Sequence, residues 1–204
     1  MRFHDLEYTV TLKIREVSKE KCPIIGGFGG MLMYELKENE KTTPAIFYTS
    51  DSLFHGEVIT TNIVRVNIWL RSDSAPKYVH LLNAQQMSLT GGGQSVKYNE
   101  VFVATKQIIA YHVAQNVDIE LDYLENEPSR QMVPTIIVGP SFLTIQGESR
   151  ISTQTDFGNT LEVGRTSWLS IYSASVSTPN MPKMKIQAEM LLLRPEAFSF
   201  SPQG

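Results

Sequence analysis

The sequence predicts an all-β protein: two small barrel-like or sandwich-like units related by internal duplication, preceded by an N-terminal β extension. Short segments alternate apolar and polar residues with a period of two, which is the pattern of strands with one buried face. Glycine and proline separate these segments, as in proteins built of many short strands. No window of 11 residues shows convincing apolar spacing at i, i+3, i+4 and i+7, so we expect no long amphipathic helix.

The N-terminal extension spans residues 1–55. Its first predicted strand, Glu7 to Arg15, has four apolar side chains on one face and threonine, lysine and arginine on the other. We expect this strand to pack on the alternating segment from Val117 to Tyr123, with its basic side chains near the acidic ones of that segment. Met31 to Leu36 is a second predicted strand, and Pro44 opens a third that runs through Tyr48.

The first unit spans residues 56–126. Glu57 to Leu70 alternates as strands do, whereas Tyr78 to Ala84 fits either a short helical turn or the start of a strand. The triple glycine Gly91 to Gly93 predicts a hairpin turn or a β-bulge. Val101 to Val113 is the densest run of β-branched and aromatic residues in the middle of the chain, so we expect a long strand bent at its one polar break.

The second unit spans residues 127–204 and follows a predicted linker, Glu125 to Gln131, which is polar and contains a proline. Its predicted strands are Thr135 to Val138, Phe142 to Gly147, Trp168 to Val176 and the closing run Ala188 to Phe200.

The duplication is predicted from three pairs of segments. Val66–Leu70 aligns with Leu143–Gly147 at an interval of 77 residues, Met87–Thr90 with Leu169–Tyr172 at 82, and Val101–Val113 with Ala188–Phe200 at 87. The interval grows between segments, which places the added residues in loops, where changes of length cost least. Shared strand alternation without duplication is the alternative. A period near 80 is too long for a solenoid repeat, so two fused units are expected.

The run Val101-Phe102-Val103-Ala104-Thr105-Lys106-Gln107-Ile108-Ile109 resembles the last two strands of an Sm-like small barrel. There, a hydrophobic strand passes through a polar kink into a final strand rich in Ile or Val. The strand spacing also resembles that of a family of uncharacterised bacterial domains. The resemblance covers about Gly56 to Val113 and, more faintly, Thr135 to Phe200, and it implies a tandem small β-barrel. The asparagine-rich loops with which Sm proteins contact RNA have no counterpart, so nucleic-acid binding is not expected.

A second resemblance concerns Arg65 and Arg71, followed by the segment Gln86-Met87-Ser88-Leu89-Thr90-Gly91. It is similar to PilZ barrels, which bind cyclic dinucleotides with an arginine pair and a turn of the form Asp/Asn-x-Ser-x-x-Gly. Ser88 and Gly91 match that turn, a glutamine stands at its first position, and the arginine pair spans six residues instead of four. This resemblance implies a ligand-sensing barrel that binds through Arg65, Arg71, Ser88 and Gly91.

Composition and charge exclude several classes of function. A net charge of −3 argues against generic binding to a nucleic-acid backbone. The single Cys22 cannot form an internal disulfide and has no metal-ligand partner at Cys-x-x-Cys spacing. No apolar run approaches the roughly 20 residues needed to cross a bilayer, and no signal peptide is visible. We therefore expect a cytoplasmic protein without membrane insertion.

No motif predicts a catalytic residue, a metal or a cofactor. The glycine-rich segment Gly26 to Gly30 is not followed by the Gly-Lys-Ser/Thr of a phosphate-binding loop and is expected to form a turn. No two of the four histidines are spaced as metal ligands are. Asp118, Glu120 and Asp122 share one strand face, but without a calcium-binding loop they predict a solvated face. Hydrolase motifs of the Gly-x-Ser-x-Gly type are missing as well.

The sequence therefore predicts a non-enzymatic interaction or assembly module, with itself in a homo-oligomer or another protein as its partner. Such a module needs an exposed apolar edge, for which Trp69, Val103, Trp168 and Tyr172 are the candidates. The alternatives are the ligand-sensing barrel, which needs a cationic pocket at Arg65 and Arg71, and an enzyme, which needs a cleft with perturbed titratable groups.

Overall fold

A computed structural model describes residues 34–90, 94–114, 121–123, 127–163 and 167–203, which form ten β-strands and two short helices. The predicted all-β character is confirmed. The strands are Glu40–Tyr48 (β1), Ser52–Thr61 (β2), Tyr78–Ser88 (β3), Ser95–Ala104 (β4), Ala110–Val113 (β5), Arg130–Val138 (β6), Thr144–Ser152 (β7), Leu169–Ser177 (β8), Lys185–Leu193 (β9) and Ser199–Pro202 (β10).

In each half of the chain, one short helix follows the second strand. The helices are Val66–Arg71 (α1) and Phe157–Val163 (α2), and 3₁₀ turns occupy Thr105–Gln107, Pro140–Phe142 and Pro195–Ala197. The prediction of strand throughout Glu57 to Leu70 is wrong after Thr61, where β2 ends. Val66 and Leu70 are four residues apart and therefore lie on one helical face, which is buried in the core. A six-residue helix is too short to show in an 11-residue window.

All ten strands belong to one antiparallel sheet with the order β10-β6-β7-β8-β9-β5-β1-β2-β3-β4. The sheet is open, since β10 and β4 each have a single neighbour among the described strands. Pairing of β9 with β5 makes it continuous from one half of the chain to the other. The described strands of both predicted barrel-like or sandwich-like units therefore belong to one sheet, which is not closed into a barrel. Nor does residue 56 mark a break, because β2 runs across it and pairs with β1.

The relative strand order is the same in the two halves: β5-β1-β2-β3-β4 in the first and β10-β6-β7-β8-β9 in the second. A register shift lies at Gly56 in β2 and at Gly147 in β7. Facing these glycines, Asn83 in β3 and Ser173 in β8 have positive φ angles of 50° and 49°. A 3₁₀ turn precedes the last strand of each half. These matching features are separated by 90 or 91 residues.

The three predicted segment alignments do not agree with this interval. Val66–Leu70 lies entirely in α1, whereas Leu143–Gly147 lies mostly in β7. Met87–Thr90 contains the end of β3, but Leu169–Tyr172 is the beginning of β8. The third alignment, Val101–Val113 with Ala188–Phe200, does match β4 and β5 with β9 and β10, but its interval of 87 residues is three short of the 90 in the structure. Because side chains alternate with a period of two, any strand can be matched to another at several offsets, and alternation alone sets no register.

The run Val101 to Val113 is not one long strand. It contains the end of β4, the 3₁₀ turn at Thr105–Gln107 and β5. Only β5 is paired on both sides, with β1 and β9, whereas β4 pairs with β3 alone among the described strands. In the second half, Pro195–Ala197 likewise forms a 3₁₀ turn, between β9 and β10.

Two clusters of buried side chains hold the sheet together. One draws on β1 to β5 and α1 and also includes Trp168 and Leu192 from the second half. The other is formed mainly by β6 to β10 and also includes Ile46 and Tyr48 from β1. Successive residues of β1 therefore enter different cores, so both faces of this strand are buried and the two halves share their packing.

Several predictions lie outside the described residues. These are the strand from Glu7 to Arg15, the glycine segment at Gly26 to Gly30, Cys22, and the carboxylates of Asp118 and Glu120. Leu121 to Tyr123, the described part of another predicted strand, belongs to no strand, and neither do Tyr34 to Leu36 at the end of Met31 to Leu36. Tyr78 to Ala84, for which two interpretations were open, is strand.

Candidate functional site

The four side chains predicted for an exposed apolar edge do not form one. Trp168 is 4% exposed, Val103 4% and Tyr172 6%, and Trp69 packs against the first core from a partly buried position. Trp168 and Val103 belong to that core themselves, because the joining of the two halves encloses Trp168 and β4 turns Val103 inward. Among the described residues, the most exposed apolar side chains are therefore other ones.

The residues of the PilZ-like pattern lie in different parts of the fold. Arg65 precedes α1 and Arg71 ends it. Ser88 ends β3, at the far end of that strand from the loop that follows α1, and Gly91 lies outside the described residues. Of the described members, Arg71 alone lines the cavity described below.

Exposed apolar side chains lie near both open edges of the sheet. At the β4 edge, Phe102 is 57% exposed and Tyr78, in the neighbouring strand, is 58% exposed. The ring of Phe102 stacks on His80 at 4.3 Å between centroids, which holds it against the sheet. Next to β10, Val138 in β6 is 43% exposed, and Phe142, in the turn between β6 and β7, is 68% exposed. Large apolar side chains this exposed at the outermost strands of the described sheet are typical of an interaction surface.

The internal junction between the halves has the opposite character. β9 pairs with β5 through Leu193 opposite Ala110 and Leu192 opposite Tyr111, and Leu192 is 1% exposed. Arg194 crosses the junction, where its Nε donates to the carbonyl oxygen of Ile108 at 2.9 Å and its guanidinium lies 4.6 Å from the ring centre of Trp168. Apolar burial and a bridging cation therefore stabilise this strand pair.

A cavity of about 610 Å³ lies beside this junction. Its lining combines three arginines, two aspartates, two aromatic residues, two serines and a leucine: Arg71, Asp73, Asp122, Arg130, Arg150, Ser167, Trp168, Leu169, Ser170 and Tyr172. These residues come from α1 and the loop after it, from the connection between β5 and β6, and from β6, β7, β8 and the residues before β8. The volume falls in the range of small-molecule sites.

Asp122 is the most heavily bonded residue of the cavity. Its carboxylate accepts hydrogen bonds from Arg71 at 2.5 Å, from the hydroxyl of Tyr172 at 2.5 Å and from the hydroxyl of Ser170 at 2.9 Å. Arg71 also donates to Ser170. Three donors from α1 and β8 thus converge on one carboxylate that lies outside both elements.

These contacts control the charges in the cavity. Burial acts to raise the pKa of Asp122, but the hydrogen bonds from Tyr172 and Arg71 outweigh it, so the pKa lies below its ordinary value of 3.8. Burial and the bond to Asp122 both raise the pKa of Tyr172, which keeps its hydroxyl protonated as a donor. Nearby, Arg150 pairs with Glu127 at 2.5 Å and lies 4.9 Å from the ring centre of Tyr123.

A separate buried polar pair lies at the centre of the sheet. Nε2 of His112 lies 3.0 Å from the hydroxyl of Tyr48, and Nδ1 lies 2.8 Å from the carbonyl oxygen of Val113. Burial lowers the pKa of His112 to about 4, more than the bond to Val113 raises it, so the ring is neutral at pH 7. The neutral ring donates through Nδ1 and accepts from Tyr48 through Nε2. We interpret this pair as structural, because both side chains are buried and bonded to each other within the sheet.

Within the described part of the chain, no group of three or more His, Cys, Asp or Glu side chains is arranged to hold a metal ion. In the same ranges, no helix has the length and apolar character required to cross a membrane.

Sequence reasoning missed the residues that stand out in the structure. Phe102 and Tyr78 were visible as aromatic residues in strands, but nothing in the pattern separated them from core residues. Asp122 was assigned to a solvated strand face. Its partners Arg71 and Ser170 are 51 and 48 residues away in the chain, so no local spacing could join them.

Comparison with known proteins finds no family model, no curated protein and no solved structure that matches this chain.

Proposed function

We propose that this protein is a non-enzymatic assembly module that associates with copies of itself, with β4 of one molecule pairing with β10 of the next. The observation that carries this proposal is the exposure of large apolar side chains at the two open edges whose internal counterparts are buried. An unprotected strand edge with apolar side chains beside it is a template for another strand.

The internal β9–β5 junction supplies the model for this contact. β9 and β4 are the fourth strands of their halves, and β5 and β10 are the fifth, in the same relative order. β4 and β10, the outermost strands of the described sheet, are therefore the counterparts of β9 and β5, which already pair within the molecule. Repeating the same pairing between copies would bury both edges and extend the sheet.

Side chains at matched positions support this contact. Trp168 and Leu192 are both buried at the junction. The residues at the equivalent positions of the first half, 90 residues earlier, are Tyr78 and Phe102, and both are more than half exposed. On the other side of the junction, Tyr48 is fully buried, and its counterpart Val138 is 43% exposed. Each exposed residue would become buried if the free edges paired as β9 and β5 do. Burial of an aromatic side chain contributes about 1.5–3 kcal/mol.

We also propose that the two halves are copies of one five-stranded unit and that each is related to the Sm-like small barrels. The shared strand order, the facing Gly56–Asn83 and Gly147–Ser173 positions and the 3₁₀ turn before each final strand support the duplication. The polar kink at Thr105–Gln107, between β4 and β5, supports the Sm-like resemblance. The bacterial origin suggested by that resemblance remains part of the proposal.

The assembly is tested by measuring molar mass with light scattering after size-exclusion chromatography at micromolar concentration. We expect a mass above that of one chain, and a shift towards one chain for Phe102→Lys, because the new charge would have to be buried in the interface. Ile68→Lys is the matched control: Ile68 is 58% exposed and Phe102 57%, but Ile68 lies on α1 and not on an edge strand. A strictly monomeric wild type would refute the proposal.

The register of the contact is tested by cross-linking. Leu192 in β9 faces Tyr111 in β5 at the internal junction, and Phe102 in β4 corresponds to Leu192. In β10, Phe200 corresponds to Tyr111, because Tyr111 pairs with Phe47 of β1 and Phe200 pairs with Ile137, the equivalent position of β6. In a Cys22→Ser background, Phe102→Cys and Phe200→Cys carried on separate copies should form a disulfide under mild oxidation, since facing Cβ atoms lie about 4.5–5.5 Å apart. Ile68→Cys mixed with Phe200→Cys is the control. Equal yields from both mixtures would exclude this register.

A further inference from the structure

The cavity beside the junction contains a set of donors that is complementary to an anion. Arg71 at the end of α1 and the two hydroxyls of Ser170 and Tyr172 on β8 converge on one point. All three are donors held by regular elements of the sheet and helix. The carboxylate at that point, Asp122, belongs instead to the connection between β5 and β6 and to no strand or helix.

We propose that Arg71, Ser170 and Tyr172 form a binding site for a small carboxylate or phosphate, and that Asp122 occupies this site as a competing anion of the chain itself. A charged guanidinium and two hydroxyls form charge-assisted hydrogen bonds to either kind of anion. The site opens into a cavity of about 610 Å³, which is large enough for the rest of a small ligand.

The surroundings of the site favour a ligand with one anionic end. Arg130 and Arg150 line the same cavity, and both are near Glu127, at 3.7 Å and 2.5 Å. When Asp122 leaves the donors, three guanidinium groups line the cavity, with the carboxylates of Asp73 in the lining and of Glu127 beside Arg130 and Arg150. The indole of Trp168 and the ring of Tyr172 provide an apolar wall beside these charges. A small phosphate or carboxylate attached to a flat or apolar group fits this combination.

Asp122 is expected to weaken binding without preventing it. A protein whose binding-competent state is only partly populated binds with an affinity reduced by that fraction. The side chain of Asp122 is 23% exposed, so solvent reaches the site formed by Arg71, Ser170 and Tyr172 even while Asp122 occupies it. Removing that carboxylate should leave the donors of Arg71, Ser170 and Tyr172 available to an external anion.

The test is isothermal titration of inorganic phosphate and, separately, of acetate into the purified full-length chain, at constant ionic strength set with chloride. Asp122→Ala should bind one of these anions at least about tenfold more tightly than the wild type does, because the internal competitor is gone. Binding of phosphate without acetate identifies a phosphate site, and the reverse identifies a carboxylate site. Equal affinities of Asp122→Ala and the wild type, or no binding by the variant, would overturn the proposal.

Three further variants complete the test. Tyr172→Phe in the Asp122→Ala background removes one donor and should weaken binding several-fold. Arg65→Gln in the same background is the control, because Arg65 precedes the same helix but is not among the residues that line the cavity. If Asp122→Ala does not fold, Asp122→Asn takes its place: the amide keeps the size of the side chain and lacks the charge. An Asp122→Asn protein that binds no more tightly than the wild type also overturns the proposal.

Discussion

Acidification should destabilise this protein through one buried histidine. His112 is 1% exposed in β5, and its neutral ring joins the hydroxyl of Tyr48 to the backbone of Val113. In the unfolded chain its pKa is the ordinary 6.5, and in the folded protein burial lowers it to about 4. Between these two pH values the unfolded state binds more protons than the folded state does. The free energy of unfolding therefore falls as the pH decreases from 6.5 towards 4.

The size of this effect follows from the two pKa values. A pKa difference of one corresponds to about 1.36 kcal/mol. For His112, linkage gives a loss of about 2 kcal/mol between pH 7 and pH 5, and of about 3 kcal/mol by pH 4. These values are substantial against the roughly 5–15 kcal/mol of total stability that domains have.

Urea unfolding followed by circular dichroism at pH 7 and pH 5 measures this loss. His112→Gln provides the comparison, because its amide oxygen can accept from Tyr48 and does not titrate. His55, on β2, also has a pKa lowered by burial and acts on His112, so it contributes to the pH dependence of both proteins. The difference between the wild type and His112→Gln isolates His112. Equal losses of stability in the two proteins between pH 7 and pH 5 would refute the argument.

Three further substitutions test the packing of the sheet. Gly147→Ala should destabilise by about 1–3 kcal/mol in urea unfolding, since its Cβ would lie 2.6 Å from Ile171 and 2.8 Å from the carbonyl oxygen of Tyr172; an unchanged midpoint would contradict this. Arg194→Ala removes the bond to Ile108 and should cost about 1–3 kcal/mol; a loss below about 0.5 kcal/mol would mean that the junction does not depend on it. Tyr111→Phe should be neutral or stabilising by thermal denaturation, because the buried hydroxyl has no hydrogen-bond partner among the described residues; a clear fall in Tm would indicate a partner.

The sequence alone determined that the described chain is built from strands. Runs rich in β-branched and aromatic residues identified Thr135 to Val138 and Trp168 to Val176 as strand. Such residues mark strands because they pack well on a pleated, half-buried surface. Pro44, which was expected to open a strand, lies inside β1, which begins at Glu40. The polar break inside Val101 to Val113 was also visible, although it separates two strands and does not bend one.

Only the tertiary structure decided which strands are neighbours and which side chains they cover. Trp168 and Phe102 are both large, apolar strand residues, yet one is buried at the junction and the other is exposed at an edge. That difference depends on whether a fifth strand lies beside them, and no local pattern contains this information. Likewise, Asp122 meets its three donors only because β8 and the end of α1 are brought together by the β9–β5 pairing and the packing around it. Alternation in the sequence specifies which face of a strand is buried. It does not specify the neighbouring strand, because strands pair through backbone hydrogen-bonding groups that are nearly the same in every residue.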